Sequence, residues 1–197
     1  NTVSGLHSFA GSGFRNSATN IYSIIVGGRE NRATGIRSIV VGSMYNMASG
    51  QASFIGGGLA NSATNVYSVV VGGLYNLSSA LHSFVGVGRS NSVIGSFSSI
   101  IGGSANTVNA DHSSIIAGSG NTINSNAISS SIIAGGKVTA LSADTAHAPR
   151  VYLSQFLQLS ATTIQPPVQQ GIVYFSGGNL NRIQYYSGNS PADVVTI

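Results

Sequence analysis

Acid–base or metal chemistry needs titratable side chains held close together, and the chain carries four carboxylates: Glu30, Asp111, Asp144 and Asp193. Hydrolysis of a glycosidic bond by paired carboxylates would need two of these to converge across one bond. His7, His82 and His112 are the other candidates, and they are separated by multiples of fifteen residues. Asp111 beside His112 lacks a distinguishable nucleophile, because serine is abundant along the whole chain. There is no cysteine, which removes thiolate metal sites and disulfides. Glycine pairs such as Gly27-Gly28 and Gly72-Gly73 are not followed by Lys-Ser or Lys-Thr at phosphate-loop spacing, so they read as turns.

The element that must position all of these groups is a repeat. Asparagine recurs every fifteen residues at Asn1, Asn16, Asn31, Asn46, Asn61, Asn76, Asn91, Asn106 and Asn121. Serine keeps the same step at Ser8, Ser23, Ser38, Ser53, Ser68, Ser83, Ser98 and Ser113. Such spacing predicts a stacked solenoid, in which each copy rests on the one before and an insertion would shift every later rung. Glu30 and Asp111 are then more than five rungs apart, over 20 Å at ~4.8 Å per rung. A carboxylate pair within one chain is therefore not expected. The three histidines share one repeat position, just before the serine, with Tyr22, Arg37, Ala52, Tyr67 and Phe97. That position reads as a surface or interface slot holding an exposed or stacked imidazole; the alternative is an ion held on a symmetry axis by copies of one histidine.

Each copy opens on a short β-branched run and then meets glycine, as expected for a strand and a turn. Two residues after the serine the side chain is aliphatic (Ala10, Ile25, Val40, Ile55, Val70, Val85, Ile100, Ile115). Alternation puts the serine on the same inward face. The opposite face is apolar too, with Phe9, Ile24, Ile39, Phe54, Val69 and Phe84 at one offset and Val26, Val41, Val71, Ile101 and Ile116 at the other. A stripe of that size exceeds what monomers usually expose, which predicts a homo-oligomer of closed symmetry. Glycine five residues after the serine, as at Gly73, predicts a positive φ or a close backbone approach. The asparagine is expected to bond along its own column and to tolerate a left-handed turn.

The repeats SIIVGGRENRATGIR and SIVVGSMYNMASGQA resemble the head repeats of YadA-like trimeric autotransporter adhesins, and the slightly longer period resembles related fibre proteins of viruses, phages and bacteria. The resemblance covers residues 1–136. It implies an all-β chain, a left-handed parallel β-roll or β-solenoid of fifteen-residue repeats, assembled as a homotrimer that binds components of a cell surface.

Beyond Asn121 the step changes, since SSIIAG at Ser113 returns at Ser130, seventeen residues on. The last rung is expected to bulge. Residues 137–150 read as a neck, and 151–197 as a small β module with a strand from Val151, a break at Pro166-Pro167, and a hairpin pairing Ile172–Phe175 with residues 180–186. Tyr174, Tyr185 and Tyr186 suit a receptor-contacting tip, although a trimer clamp would use the same residues.

Charged residues are 6% of the chain, and its net charge of +4 rests on eight bases against four acids. Arg15, Arg29, Arg32, Arg37 and Arg89 fall at different repeat offsets, so nucleic-acid tracking is not expected. No apolar run reaches the ~20 residues of a membrane span. The leading expectation is a non-enzymatic, extracellular fibre or adhesin needing no cofactor or metal, which attaches to a receptor or glycan. Tyr22, Tyr45, Tyr67 and Tyr75 are candidate contacts. The alternatives are a structural spacer on a virion or appendage and, further off, a polysaccharide-cleaving tailspike. Ice binding would need a persistent threonine array, and Thr19, Thr34 and Thr64 do not form one.

Overall fold

The computed structural model describes residues 1–144, 146–147, 172–175, 182–187 and 190–196. The chain divides into two units, Asn1–Val151 and Tyr152–Ile197. The described residues are all-β, and the first unit is a parallel β-solenoid built from two ten-stranded ladders. Ladder A begins with Thr2–Val3, Ser17–Ala18 and Arg32–Ala33; ladder B begins with Phe9–Ala10, Ile24–Ile25 and Ile39–Val40. Successive strands pair in parallel at the fifteen-residue step, as in Ser17↔Arg32 and Ile24↔Ile39. A third line of single bridges runs through Phe14, Arg29, Met44, Leu59 and Leu74.

The inward positions are those expected. Ile25, Val40, Ile55 and Val70 are fully buried in ladder B, facing Ala18, Ala33, Ala48 and Ala63 in ladder A. Two polar residues per turn, the asparagine and the serine, are buried beside these side chains, so their polar atoms need partners in the protein. The asparagines succeed because every polar atom is used. At Asn61 the side-chain Nδ2 donates to Gly57 O at 2.8 Å and to Gly73 O at 2.9 Å, while Oδ1 accepts the backbone N–H of Asn76 at 3.0 Å. Ser8, Ser53, Ser68 and Ser83 close the preceding corner, as where Ser53 Oγ donates to Gly50 O at 2.7 Å, whereas Ser38 Oγ is buried without a partner among the described residues. Where Ser78 takes the alanine position of ladder A, it pairs with Ser83 Oγ at 2.6 Å.

Gly73 meets both demands expected of its column. Its φ is +96°, and a Cβ there would lie 2.2 Å from Gly88 O. The asparagines differ from expectation, because none of them adopts a positive φ. Left-handed backbone falls on the residues just before them, such as Glu30, Tyr45 and Tyr75, and just before the serines, such as His7, Tyr22 and Tyr67. The physical reason is bond direction. Strand N–H groups donate to the following rung, as from Ile24 to Ser38 O, whereas the left-handed corners donate back to the preceding one, as from Tyr22 to Leu6 O at 2.9 Å. Each turn is thereby tied in both directions, which offsets the roughly 1–2 kcal/mol cost of a left-handed non-glycine residue.

The seventeen-residue step is taken up at one corner. Ser114 pairs with Ser131 and Thr122 with Thr139, so both ladders pass the insertion in register. The ladders also continue into the segment read from sequence as a neck. Thr139–Ala140 and Ala146–His147 are their last strands, Ala140 is buried, and Val138 stands in the asparagine slot with its N–H donating to Asn121 Oδ1 at 3.0 Å. In the second unit, Ile172–Phe175 pairs antiparallel with Arg182–Ser187, which pairs with Ser190–Thr196. The strand expected from Val151, the Pro166-Pro167 break and the turn at 176–179 lie outside the described residues.

A mid-rod substitution separates the amide network from strand propensity. Asn61→Ala strands the buried N–H of Asn76 and removes the amide donor from the part-buried carbonyls of Gly57 and Gly73, of which Gly73 O keeps the Leu59 N–H; it should lower unfolding stability by about 1–3 kcal/mol. Its outward neighbour Ser62→Ala should stay within about 0.5 kcal/mol. Equilibrium denaturation of both variants decides between them.

Candidate functional site

Two surfaces emerge from this scaffold, and both follow from columns of equivalent residues. The first is the outer side of ladder B, made by the residues one and three after each serine. Val26, Ile101 and Ile116 are 50%, 49% and 47% exposed, so the apolar face expected from sequence is open in the single chain. Read as pairs, its two columns compensate each other in volume. Phe9, Phe54 and Phe84 are matched by Gly11, Gly56 and Gly86; Ile24, Ile39 and Val69 by Val26, Val41 and Val71; Ser99, Ser114 and Ser131 by Ile101, Ile116 and Ile133. All nine rungs follow this rule. At the three phenylalanine rungs the glycine is required first by the backbone, since a Cβ on Gly11, Gly56 or Gly86 would lie 2.3, 2.4 or 2.2 Å from the carbonyl oxygen of Val26, Val71 or Ile101 in the next rung, with the Phe9 ring a further 3.2 Å neighbour at Gly11. The result is a face with at least one large apolar side chain at every rung, about 40 Å tall at ~4.8 Å per rung. The individual columns were legible in the sequence; their pairing was missed, although comparing the two offsets copy by copy would have revealed it.

The second surface is the left-handed corner before each serine. Its side chains project outward and stack along the rod. His7 lies on Tyr22 with ring centres 5.2 Å apart, and the Arg37 guanidinium carbon is 6.0 Å from the Tyr22 ring centre. Further along, Tyr67, His82, Phe97 and His112 form a continuous stack at 4.7, 5.1 and 5.3 Å. Between these two runs stands Ala52, which has no ring. The histidines therefore occupy stacked positions, with His82 sandwiched between Tyr67 and Phe97.

Tyr45 and Tyr75 occupy the opposite left-handed corner, with Ala60 between them. Tyr174, Tyr185 and Tyr186 lie in the strands of the second unit. Glu30 is engaged by Arg29 Nε at 3.3 Å and Arg15 at 3.9 Å, beside Phe14, whose ring lies 4.8 Å from the Arg15 guanidinium carbon. Asp111 accepts the Ser96 N–H at 2.7 Å, one rung below. Asp144 sits at a left-handed corner with its N–H donating to Ile128 O, and Asp193 lies in the strand Ser190–Thr196. The structure does not bring Glu30 and Asp111 together. No group of three His, Asp or Glu side chains that could hold a metal occurs among the described residues, and no helix among them is long and apolar enough to cross a membrane.

No protein-family model matches the sequence, and comparison with curated proteins returns no match.

The stacking itself can be measured at His82. Removing the ring in His82→Ala should cost about 0.5–1.5 kcal/mol, while His82→Phe, which keeps a ring between Tyr67 and Phe97, should leave thermal stability close to the parent. Equal losses in both variants would mean that the imidazole has a partner other than its two neighbours.

Proposed function

We propose that the chain is a non-enzymatic subunit of a homotrimeric extracellular fibre that attaches to a cell surface. The observation that carries this reading is the exposed apolar face on ladder B, whose two columns pair residues of complementary size at every rung. A solvated surface has no need for volume matched rung by rung. A plane that must meet another plane at constant distance along its whole height does. Covering each large side chain there contributes about 1.5–3 kcal/mol, summed over nine rungs, which outweighs ordinary costs of association.

Three left-handed rolls around a common axis, all pointing the same way, put each rung at the height of its own copies. Rungs of one volume class then meet rungs of the same class. The likeness of the repeats to YadA-like heads and related fibres supports the number three and the role in attachment. The corners, with their tyrosines and stacked rings, face outward in such an assembly, where weak contacts from three chains reinforce one another on a surface. The C-terminal β module would act as a contacting tip or as a clamp for the three chains.

Sedimentation equilibrium should return three times the mass of one chain. Val71→Asp, which sets three carboxylates into the closed plane, should shift the particle to monomers while leaving the β-sheet circular dichroism intact. Volume matching gives an independent check. Ser99→Phe and Ile101→Gly should each weaken assembly, and the double variant, which reproduces the pattern of Phe54 and Gly56, should recover most of the loss. A soluble wild-type monomer removes the assembly, whereas a trimer that binds no cells or glycans reduces the chain to a spacer.

A further inference from the structure

The ring stack is interrupted at Ala52, and the residues flanking the interruption are polar or aromatic. Every rung from His7 to His112 places a planar group at this corner except one. At the vacancy the flanking groups are two rungs apart, ~10 Å. On one side lies the Arg37 guanidinium, which leans on Tyr22 and has no acidic partner among the described residues. On the other lies Tyr67, 48% exposed, whose stacking partner His82 covers only its far face. The adjoining position is Gln51, exposed, where the rungs below and above have Ile36 and Val66. Its backbone carbonyl accepts the Tyr67 N–H at 2.9 Å, and its side-chain amide has no hydrogen-bond partner among the described residues. Ala60, between Tyr45 and Tyr75 on the opposite corner, is a similar vacancy bordered by Leu59 and lacks these polar groups.

An exposed aromatic face, an amide and a guanidinium without an acidic partner, on residues adjoining the Ala52 position, suit one class of ligand best. We infer that the Arg37–Gln51–Tyr67 opening binds one pyranose unit bearing a carboxylate, as in an acidic surface glycan. The C–H face of the sugar rests on Tyr67, its hydroxyls exchange hydrogen bonds with the Gln51 amide, and its carboxylate takes the two-pronged guanidinium contact that lysine cannot make. A flat aromatic ligand would leave Gln51 and Arg37 unused. This inference names the ligand class for the attachment role proposed above and rests on that reading for its biological meaning. Its chemistry stands separately, because the opening is complete within one chain.

The test titrates the full chain with methyl β-glucuronide, methyl β-glucoside and indole, observed by saturation-transfer NMR, alongside adhesion of the same protein to cells with and without their acidic glycans. Glucuronide binding near ~1 mM is expected, at least about tenfold tighter than glucoside, with Arg37→Ala removing that preference. Ala52→Tyr fills the opening with a residue already accepted at Tyr22 and Tyr67, and should abolish binding without loss of thermal stability. Ala60→Tyr fills the opposite vacancy and should leave binding unchanged. Preference for indole, equal binding of both sugars, or retention of glucuronide by Ala52→Tyr would each overturn the site. Adhesion that persists in Ala52→Tyr overturns the site and keeps the fibre reading; glucuronide binding without adhesion of the wild type does the reverse.

Discussion

The buried asparagine column is the interaction on which the rest of the fold depends. Each amide from Asn16 to Asn121 is buried, and its hydrogen bonds are completed by its own turn and the turns directly above and below: Asn61 is served by Gly57, Gly73 and Asn76. A turn in isolation would leave those groups unpaired. Stacking is therefore obligatory for any chain that carries the column, and stacking at one register follows, because a slip by a single residue would replace asparagine with a side chain unable to make the set. Hydrophobic burial stabilises the rod, but Val, Ile and Ala would tolerate sliding in a way that the amides do not.

How much of this was legible in the sequence varies by column. The parallel solenoid, the inward serine and aliphatic positions, and the open apolar face followed directly from a period held over many copies. The left-handed corners did not, because Tyr22, Glu30, Arg37 and Ala60 have no side-chain type in common; what holds them there is a backbone bond to the preceding rung, and backbone bonds leave no residue signature. The final turn was hidden for a related reason. Val138 replaces asparagine, Thr145 replaces serine and His147 replaces the aliphatic residue paired with Ile132, so three of the signature positions are lost while the left-handed Lys137 and Asp144 are kept. The candidate surfaces were half visible: the apolar columns and the shared position of the histidines could be read, but volume matching and ring stacking are relations between residues and emerge only when columns are placed side by side.

The two surfaces obey different constraints. On the outer side of ladder B, a change at one position is matched at the other, so that Phe stands with Gly and Ser with Ile. At the corner before the serine no such rule holds, and His, Tyr, Arg, Ala and Phe follow one another. A side chain there is bounded only by its neighbours fifteen residues away, and most of them meet this with a planar group that can lie flat on the next. Cohesion along the rod and freedom around its rim are thus assigned to separate columns of the same turn.

The insertion between Ile123 and Ser130 shows which of these columns can grow. Two extra residues enter at a corner, the carbonyl of Asn124 accepts the N–H of Ala127, and both ladders resume in register at Ser131 and Thr139. The same two residues placed within a strand would have moved the Val138 N–H away from Asn121 and left the amide oxygen of Asn121 without its donor. Corners can therefore change in length as well as in chemistry at little cost to the rod, whereas the ladders can change in neither without breaking the amide column. New recognition on this scaffold is confined to its rim by the same hydrogen bonds that make it a rod.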